Sequence, residues 1–406
     1  TFLTMAYIIF VNPSILAEAG MDRGAVFVAT CIASAIATAI MALYANYPLA
    51  LAPGMGLNAY FTYGVVLGLG IGWQVALGAV FLSGIIFLAL SVLPIREYII
   101  NSIPRTLKMA ISAGIGLFLG IIALESAGLV VDHPATLVTL GDVTAPGTLL
   151  ACLGFVLMVA LEQRRVPGAV IVTILLMTAL GIVLGVSEPG GIVSLPPSLA
   201  PTFLQLDILG ALEVGLVTIV FAFLFVDLFD NTGTLIALAH RGGFMRPDGT
   251  VPRLSRVLMS DSGAAMIGAA IGTSTTTSYI ESASGINAGG RTGLTAATVG
   301  VLFLLALFVA PLAGSIPAYA TAPALLYVAV LMMRSLTEVE WEDLTEAAPA
   351  VITALAMPFT FSIAEGIAFG FISYVGIKLA TGRYRDVHPA VGILAVLFVI
   401  KYIVIG

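Results

Sequence analysis

LALAPGMGLNAYFTY at residues 49–63 and TSTTTSYIESASGINAG at residues 273–289 are the two stretches on which the fold turns. Each is too short and too polar for an ordinary membrane span, yet each lies between long apolar blocks. In the first, an apolar run meets Pro53 and the glycines Gly54 and Gly56, the pattern of an extended stretch that stops where a short helix begins. In the second, the β-branched, hydroxyl-rich run from Thr273 through Thr276 and Thr277 opens another short helix. Irregular backbone at membrane depth must be paired inside the protein or line a wet cavity, because an unpaired amide in hydrocarbon costs several kcal/mol. We therefore expect two strand-plus-half-helix segments that meet near mid-membrane and turn free N–H groups toward one polar cavity. The competing reading is a pair of ordinary surface loops.

The rest of the chain explains why lipid is the relevant solvent. Of 406 residues, 60% are hydrophobic and only 9% are charged, against ~25% charged in soluble domains. That leaves too little polar surface to cover a globule in water, which excludes a cytosolic enzyme, a nucleic-acid binder and a secreted disulfide scaffold. The net charge of −6 decides little, since placement of charge matters more than its sum in such a chain. Cys31 and Cys152 lie inside apolar segments and form neither a disulfide framework nor a metal-ligand spacing.

Spanning the hydrocarbon core takes about 20 apolar residues per helix. Candidate spans cover 2–18, 24–46, 72–94, 106–125, 145–163, 167–186, 209–239, 255–272, 292–311 and 319–335. The stretch 347–381 must turn back on itself, with a break expected near Pro358, while 388–405 is either a further crossing or an interfacial element. With the two odd segments this gives an all-α integral membrane protein of about fourteen crossings. A cytoplasmic N-terminus then puts nearly every Lys and Arg on the inside, with Arg23 as the exception. TMAYIIFVNPSILAEAG at 1-end residues 4–20 is echoed by VDLFDNTGTLIALAHRG at 226–242, aligning Phe10, Asn12 and Leu16 with Phe229, Asn231 and Leu235. Repetition after an odd number of crossings, seven, implies two inverted repeats.

Carboxylates inside apolar segments mark the chemistry, because a charge at mid-bilayer costs on the order of 3 kcal/mol unless it faces a cavity or becomes neutral. Asp227, Asp230 and Thr234 fall on one helix face, flanked by Phe223, Phe225 and Phe229. Two acids one turn apart raise each other's proton affinity, as a proton carrier requires. Glu281, beside Tyr279 and Ser282, can accept two hydrogen bonds from a planar N–H-rich ligand, and Asn58 can both donate and accept. Those complements suit a heteroaromatic ring stacked on Phe or Tyr. Asn12, before Pro13, either polarises the cavity or marks a kink. Asp261, in SDSG, reads as a helix-entry residue, and the acidic residues around Trp341 read as an amphipathic surface helix. Asp227 and Asp230 share one helix, so they do not make the facing dyad of an aspartyl protease.

The motifs TFLTMAYIIFVNP (1–13), APGMGLNAYF (52–61), LFDNTGTL (228–235) and GTSTTTSYIESASG (272–285), in that order, resemble the nucleobase cation symporter-2 group, and within it the AzgA-like purine permeases. The resemblance covers essentially the whole chain. It implies import of adenine, guanine or hypoxanthine by proton symport with alternating access, and no cofactor beyond the coupling proton. It implies a core domain (1–94 and 206–316) and a gate domain (95–205 and 317–406). Asn58, Asp227 and Glu281 would contact the base, with Tyr279, Thr277 and Phe229 around it. Asp230, with Asp227, would carry the proton, while Gly54, Gly56, Thr276, Thr234 and Asn12 would line the cavity. The partners would be a purine base, the lipid bilayer of the cell membrane and, as an open question, a second copy in a homodimer. Asp230 stands where pyrimidine and xanthine relatives typically have Glu, which speaks against pyrimidines. An anion carrier, or a carrier of another nucleobase, on the same fold is the alternative.

Overall fold

The computed structural model describes residues 1–92, 102–213, 216–244 and 251–404, without the side chains of Phe229, Asp230 and some neighbours on their helix. The expected proton carrier Asp230 and the expected ring contact Phe229 are thus placed on a helix, but their side chains lie outside the described residues. The chain divides into two compact units. One comprises Thr1–Val92 and Ile122–Tyr327, and the other the described residues within Leu93–Ile121 and Val328–Gly406.

Helices dominate, and seven among the described residues are long and apolar enough to cross a membrane, including Trp73–Val92, Arg105–Ser126 and Ile363–Ala380. Shorter apolar helices include Phe2–Glu18, Ala169–Val183 and Pro389–Ile400. Their positions follow the apolar blocks of the sequence.

Two helices of the first unit build the frame for the site. Arg23–Ile40 starts at Asp22, whose carboxylate accepts from the Ala25 N–H at 2.7 Å, supplying a partner to one of the orphan donors of a helix start. Leu254–Ile271 ends at Gly272, whose φ of 96° is a left-handed stop open to glycine. Both helices are rich in Ala, Ser and Gly. Small side chains let helix backbones approach closely where lipid offers no hydrophobic drive for association, and these two pack against each other.

The odd segments form the structure's central feature. Strand β1 (Leu51–Pro53) pairs antiparallel with the short strand Thr276–Ser278, in the register Leu51 to Ser278, Ala52 to Thr277 and Pro53 to Thr276. All six residues are buried. Each strand leads into a short helix, Met55–Ala59 and Ser282–Asn287 respectively, and the first continues as a wider helical turn to Leu67. A separate exposed hairpin pairs Val130–His133 with Leu137–Leu140.

In the second unit Leu344–Thr360 and Ile363–Ala380 form a helical hairpin. The turn comes at Phe361, three residues past Pro358, with φ at 48°, and the Ser362 hydroxyl accepts from the Glu365 N–H at 3.3 Å to start the return helix. At the opposite end Lys378, buried to 2% exposure, lies 2.7 Å from the Glu346 carboxylate and donates to the Thr345 hydroxyl at 2.8 Å. The acidic stretch around Trp341 is not an amphipathic helix. A tight turn, Arg334–Glu338, gives way to extended backbone at Val339, and Asp343 then caps a new helix by accepting from the Thr345 N–H at 2.9 Å. Bonds from the Thr345 hydroxyl and N–H, then from Arg383, hold the Asp343 carboxyl down at about 2. Residues 389–404 are helical and pack on Ile363–Ala380.

Candidate functional site

The strand pair needs its outer edges satisfied, and side chains of the two frame helices do this. Thr38, on Arg23–Ile40, accepts from the Leu51 N–H at 2.9 Å and donates to the Leu51 carbonyl at 3.1 Å. Asp261, on Leu254–Ile271, accepts from the Ser278 N–H at 2.9 Å and from the Ser278 hydroxyl at 2.8 Å. Each strand is therefore tied back to the helix that precedes it in sequence. Asp261 is fully buried inside its helix rather than at its entry. The Asp-Ser-Gly triplet imitates a cap, but seven residues of helix already precede it.

Residues alternate faces along a strand. Thr276 and Ser278 face Leu254–Ile271, where a Cβ added to Gly268 would stand 2.5 Å from the Thr276 hydroxyl. Thr277 and Tyr279 take the other face. A Cβ on Gly54 would stand 3.0 Å from the Thr277 methyl, so glycine at this position allows the strand pair to close. The ribbon is extended by the Gly54 N–H donating to the Thr275 carbonyl at 2.9 Å and the Tyr279 N–H to Ala50 at 3.0 Å. The Tyr279 hydroxyl donates to the Pro53 carbonyl.

Glu281 is the residue immediately before the Ser282–Asn287 helix. Its carboxylate accepts from the buried Tyr7 hydroxyl at 2.8 Å. Asn58, one turn into the first half-helix and fully buried, donates to the Asn12 side-chain amide oxygen at 2.6 Å and accepts from the Ser274 hydroxyl. Asn12 in turn donates to the hydroxyls of Thr30 at 2.7 Å and Thr273 at 2.8 Å. Of the expected residues, Asn12 and Asn58 are thus brought together, Gly54 and Thr277 touch, and Glu281 is paired with Tyr7. Gly56 lies in the first turn of its half-helix.

Asp227 is buried to 2% exposure on Leu216–Arg241, with Thr234 half-buried two turns further along. That helix packs against the second strand and both half-helices. Tyr7, Ser274, Asp261 and Asn231 complete the surroundings without having been singled out as site residues in the sequence. Tyr7, Ser274 and Asn231 lie inside the motifs quoted above, and Asp261 sits in SDSG, which reads as a helix entry. Among the described residues no group of three His, Cys, Asp or Glu is arranged to hold a metal ion.

Two solved structures of transporters share this architecture. The transmembrane domain of a cyanobacterium bicarbonate transporter, BicA, is similar with a TM-score of 0.66 at 19% identity, over 92% of this chain and 96% of that one. The murine Slc26a9 anion transporter in the inward-facing state gives 0.65 at 11% identity, over 93% of this chain and 66% of that one. These likenesses concern fold.

Family follows from sequence. Residues 1–369 match the model of the Permease family, Xan_ur_permease. The adenine permease AdeP of Escherichia coli is 50% identical over 405 residues, 100% of this chain and 91% of that protein. The guanine/hypoxanthine permease PbuG of Bacillus subtilis is 45% identical over 415 residues, 99% of this chain and 94% of that protein. The chain belongs to the Permease family; it is a multi-pass membrane transporter and not an enzyme.

Proposed function

We propose that this permease imports purine nucleobases (adenine, guanine and hypoxanthine) across the cell membrane by proton symport with alternating access. Glu281 carries the reading. It puts a carboxylate at the head of a half-helix, where an anion carrier needs bare N–H groups or a cation. A carboxylate there suits a neutral ring that offers N–H donors. Relatives named for adenine and for guanine/hypoxanthine, matched over nearly their full lengths, support the same substrate class.

In this reading the base lies between the half-helices, its N–H groups toward Glu281 and its ring against aromatic side chains. Asp227 and Asp230 take the external proton and give it up inside. Asn58 keeps one N–H and one oxygen lone pair for the base beyond its bonds to Asn12 and Ser274. Inverted repeats are supported by the matching roles of Thr38 and Asp261, each on the helix before a strand and each holding that strand. Seven long apolar helices, the shorter ones and two strand-led segments among the described residues are in keeping with about fourteen crossings. Core and gate move against each other, and the N-terminus is cytoplasmic.

A binding panel on purified protein tests the substrate class. Thermal shift with adenine, guanine, hypoxanthine, xanthine, uracil and sulfate should show stabilisation by the first three. A response to sulfate alone overturns the reading.

A further inference from the structure

Asn231 lies one turn beyond Asp227 on Leu216–Arg241 and shares a helix face with Asp227 and Phe223. Phe223 meets Tyr60 edge-on at 5.0 Å between ring centroids and Phe61 at 6.5 Å, so this face turns toward the continuation of the first half-helix. Further along, Leu235 and Leu238 share a core with Leu51, Ala283 and Ile286. Residues 227–234 therefore run past the strand pair, from one half-helix to the other.

Asn231 is fully buried, and among the described residues neither its amide nitrogen nor its amide oxygen has a hydrogen-bond partner. Unpaired amides in an apolar interior cost several kcal/mol. Asn12 and Asn58, equally buried, are each bonded through both oxygen and nitrogen. Asn231 is thus an amide of this region left unsatisfied among the described residues. Thr277, also buried and without a partner for its hydroxyl among the described residues, faces Gly54 just past the strand beside it.

We propose that Asn231 is a specificity-determining residue that pairs with the N1/C6 edge of the purine, a role that rests on the purine reading above. Adenine presents there an amino donor and a ring-nitrogen acceptor. Hypoxanthine and guanine present the reverse, a carbonyl acceptor and an N–H donor. A carboxamide offers one donor and one acceptor side by side and exchanges them by a half-turn of its terminal torsion. A carboxylate, which only accepts, cannot do this. One Asn can therefore serve both 6-amino and 6-oxo bases, while Glu281 accepts a ring N–H elsewhere on the same molecule. Opening of the site during transport brings the base to the amide.

Titration of the purified protein with adenine, 6-methylpurine, hypoxanthine and unsubstituted purine tests the pairing. Wild type should prefer adenine over 6-methylpurine, and hypoxanthine over purine, by about tenfold each, the effect of leaving one buried polar partner unmatched. Asn231→Leu should bring both preferences to within about threefold of unity, as in a double-mutant cycle between side chain and ligand substituent. Asn231→Ala removes donor and acceptor without the bulk of Leu, so that a variant remains to be read if the Leu protein does not fold, and it should lower both preferences in the same way. Preferences that persist in the variants, or equal losses for all four ligands, overturn the pairing, as does a wild type that discriminates less than about threefold. A wild type that binds none of the four instead refutes the purine reading, and the pairing falls with it.

Discussion

At the scale of the residue, Asp261 shows a buried carboxylate used to hold backbone. Its oxygen receives both the N–H and the hydroxyl of Ser278, which fixes the strand that carries Thr277, Tyr279 and the approach to Glu281. Hydrogen bonds to a charged group contribute about 1.5–3 kcal/mol each, and leaving the Ser278 N–H unmet in an apolar interior adds its own penalty. Asp261→Ala should therefore lower unfolding stability in detergent by about 3 kcal/mol and abolish purine binding, whereas Asp261→Asn, which still accepts, should lose less of both. Thermal unfolding and ligand titration on the same preparations check this; an Ala variant that binds like wild type would show that the strand holds its place without the acid. Nothing in the sequence separated Asp261 from a capping Asp, because the difference lies in the seven helical residues before it and in a partner 17 positions away.

At the scale of the element, the strand pair was legible and its fastening was not. A Pro-Gly stop after an apolar run, and a run of Thr where no span fits, are local signals of extended chain that must be paired. Which side chains close the edges depends on packing at long range, so nothing local marks Thr38 or gives Asp261 its role at the strand. The apposition itself rests on close backbone approach. A Cβ at Gly268 would stand 2.5 Å from both the Ser274 carbonyl oxygen and the Thr276 hydroxyl. Gly268→Ala should push the second strand away from its helix at a cost of about 1–3 kcal/mol, the usual range for overpacking. The melting temperature should fall and purine affinity with it, while Gly263→Ala, whose Cβ would meet nothing within 4 Å, should leave both near wild type. Similar losses at the two glycines would mean that general helix packing, not the seat of the strand, sets the effect.

At the scale of the whole molecule, the apolar blocks gave the helices closely because hydrophobic length is a local property. The hairpin turn was harder to place. Pro358 pointed to the neighbourhood, but the chain continues helical to Thr360 and reverses where Phe361 takes a left-handed conformation, which a Phe does not announce. Coupling belongs to this scale too, since a single site can bind without pumping. In the proposed cycle Asp230 exchanges its proton between the two sides while Glu281 holds the base, so the two acids should be separable by experiment. Asp230→Asn, unable to release a proton, should bind purine with affinity near wild type and equilibrate it across proteoliposome membranes, yet fail to accumulate it when an inward proton gradient is imposed. Glu281→Ala should lose binding altogether. Gradient-driven accumulation at the wild-type level by Asp230→Asn would remove that residue from coupling and leave Asp227 as the acid on that helix to carry the proton.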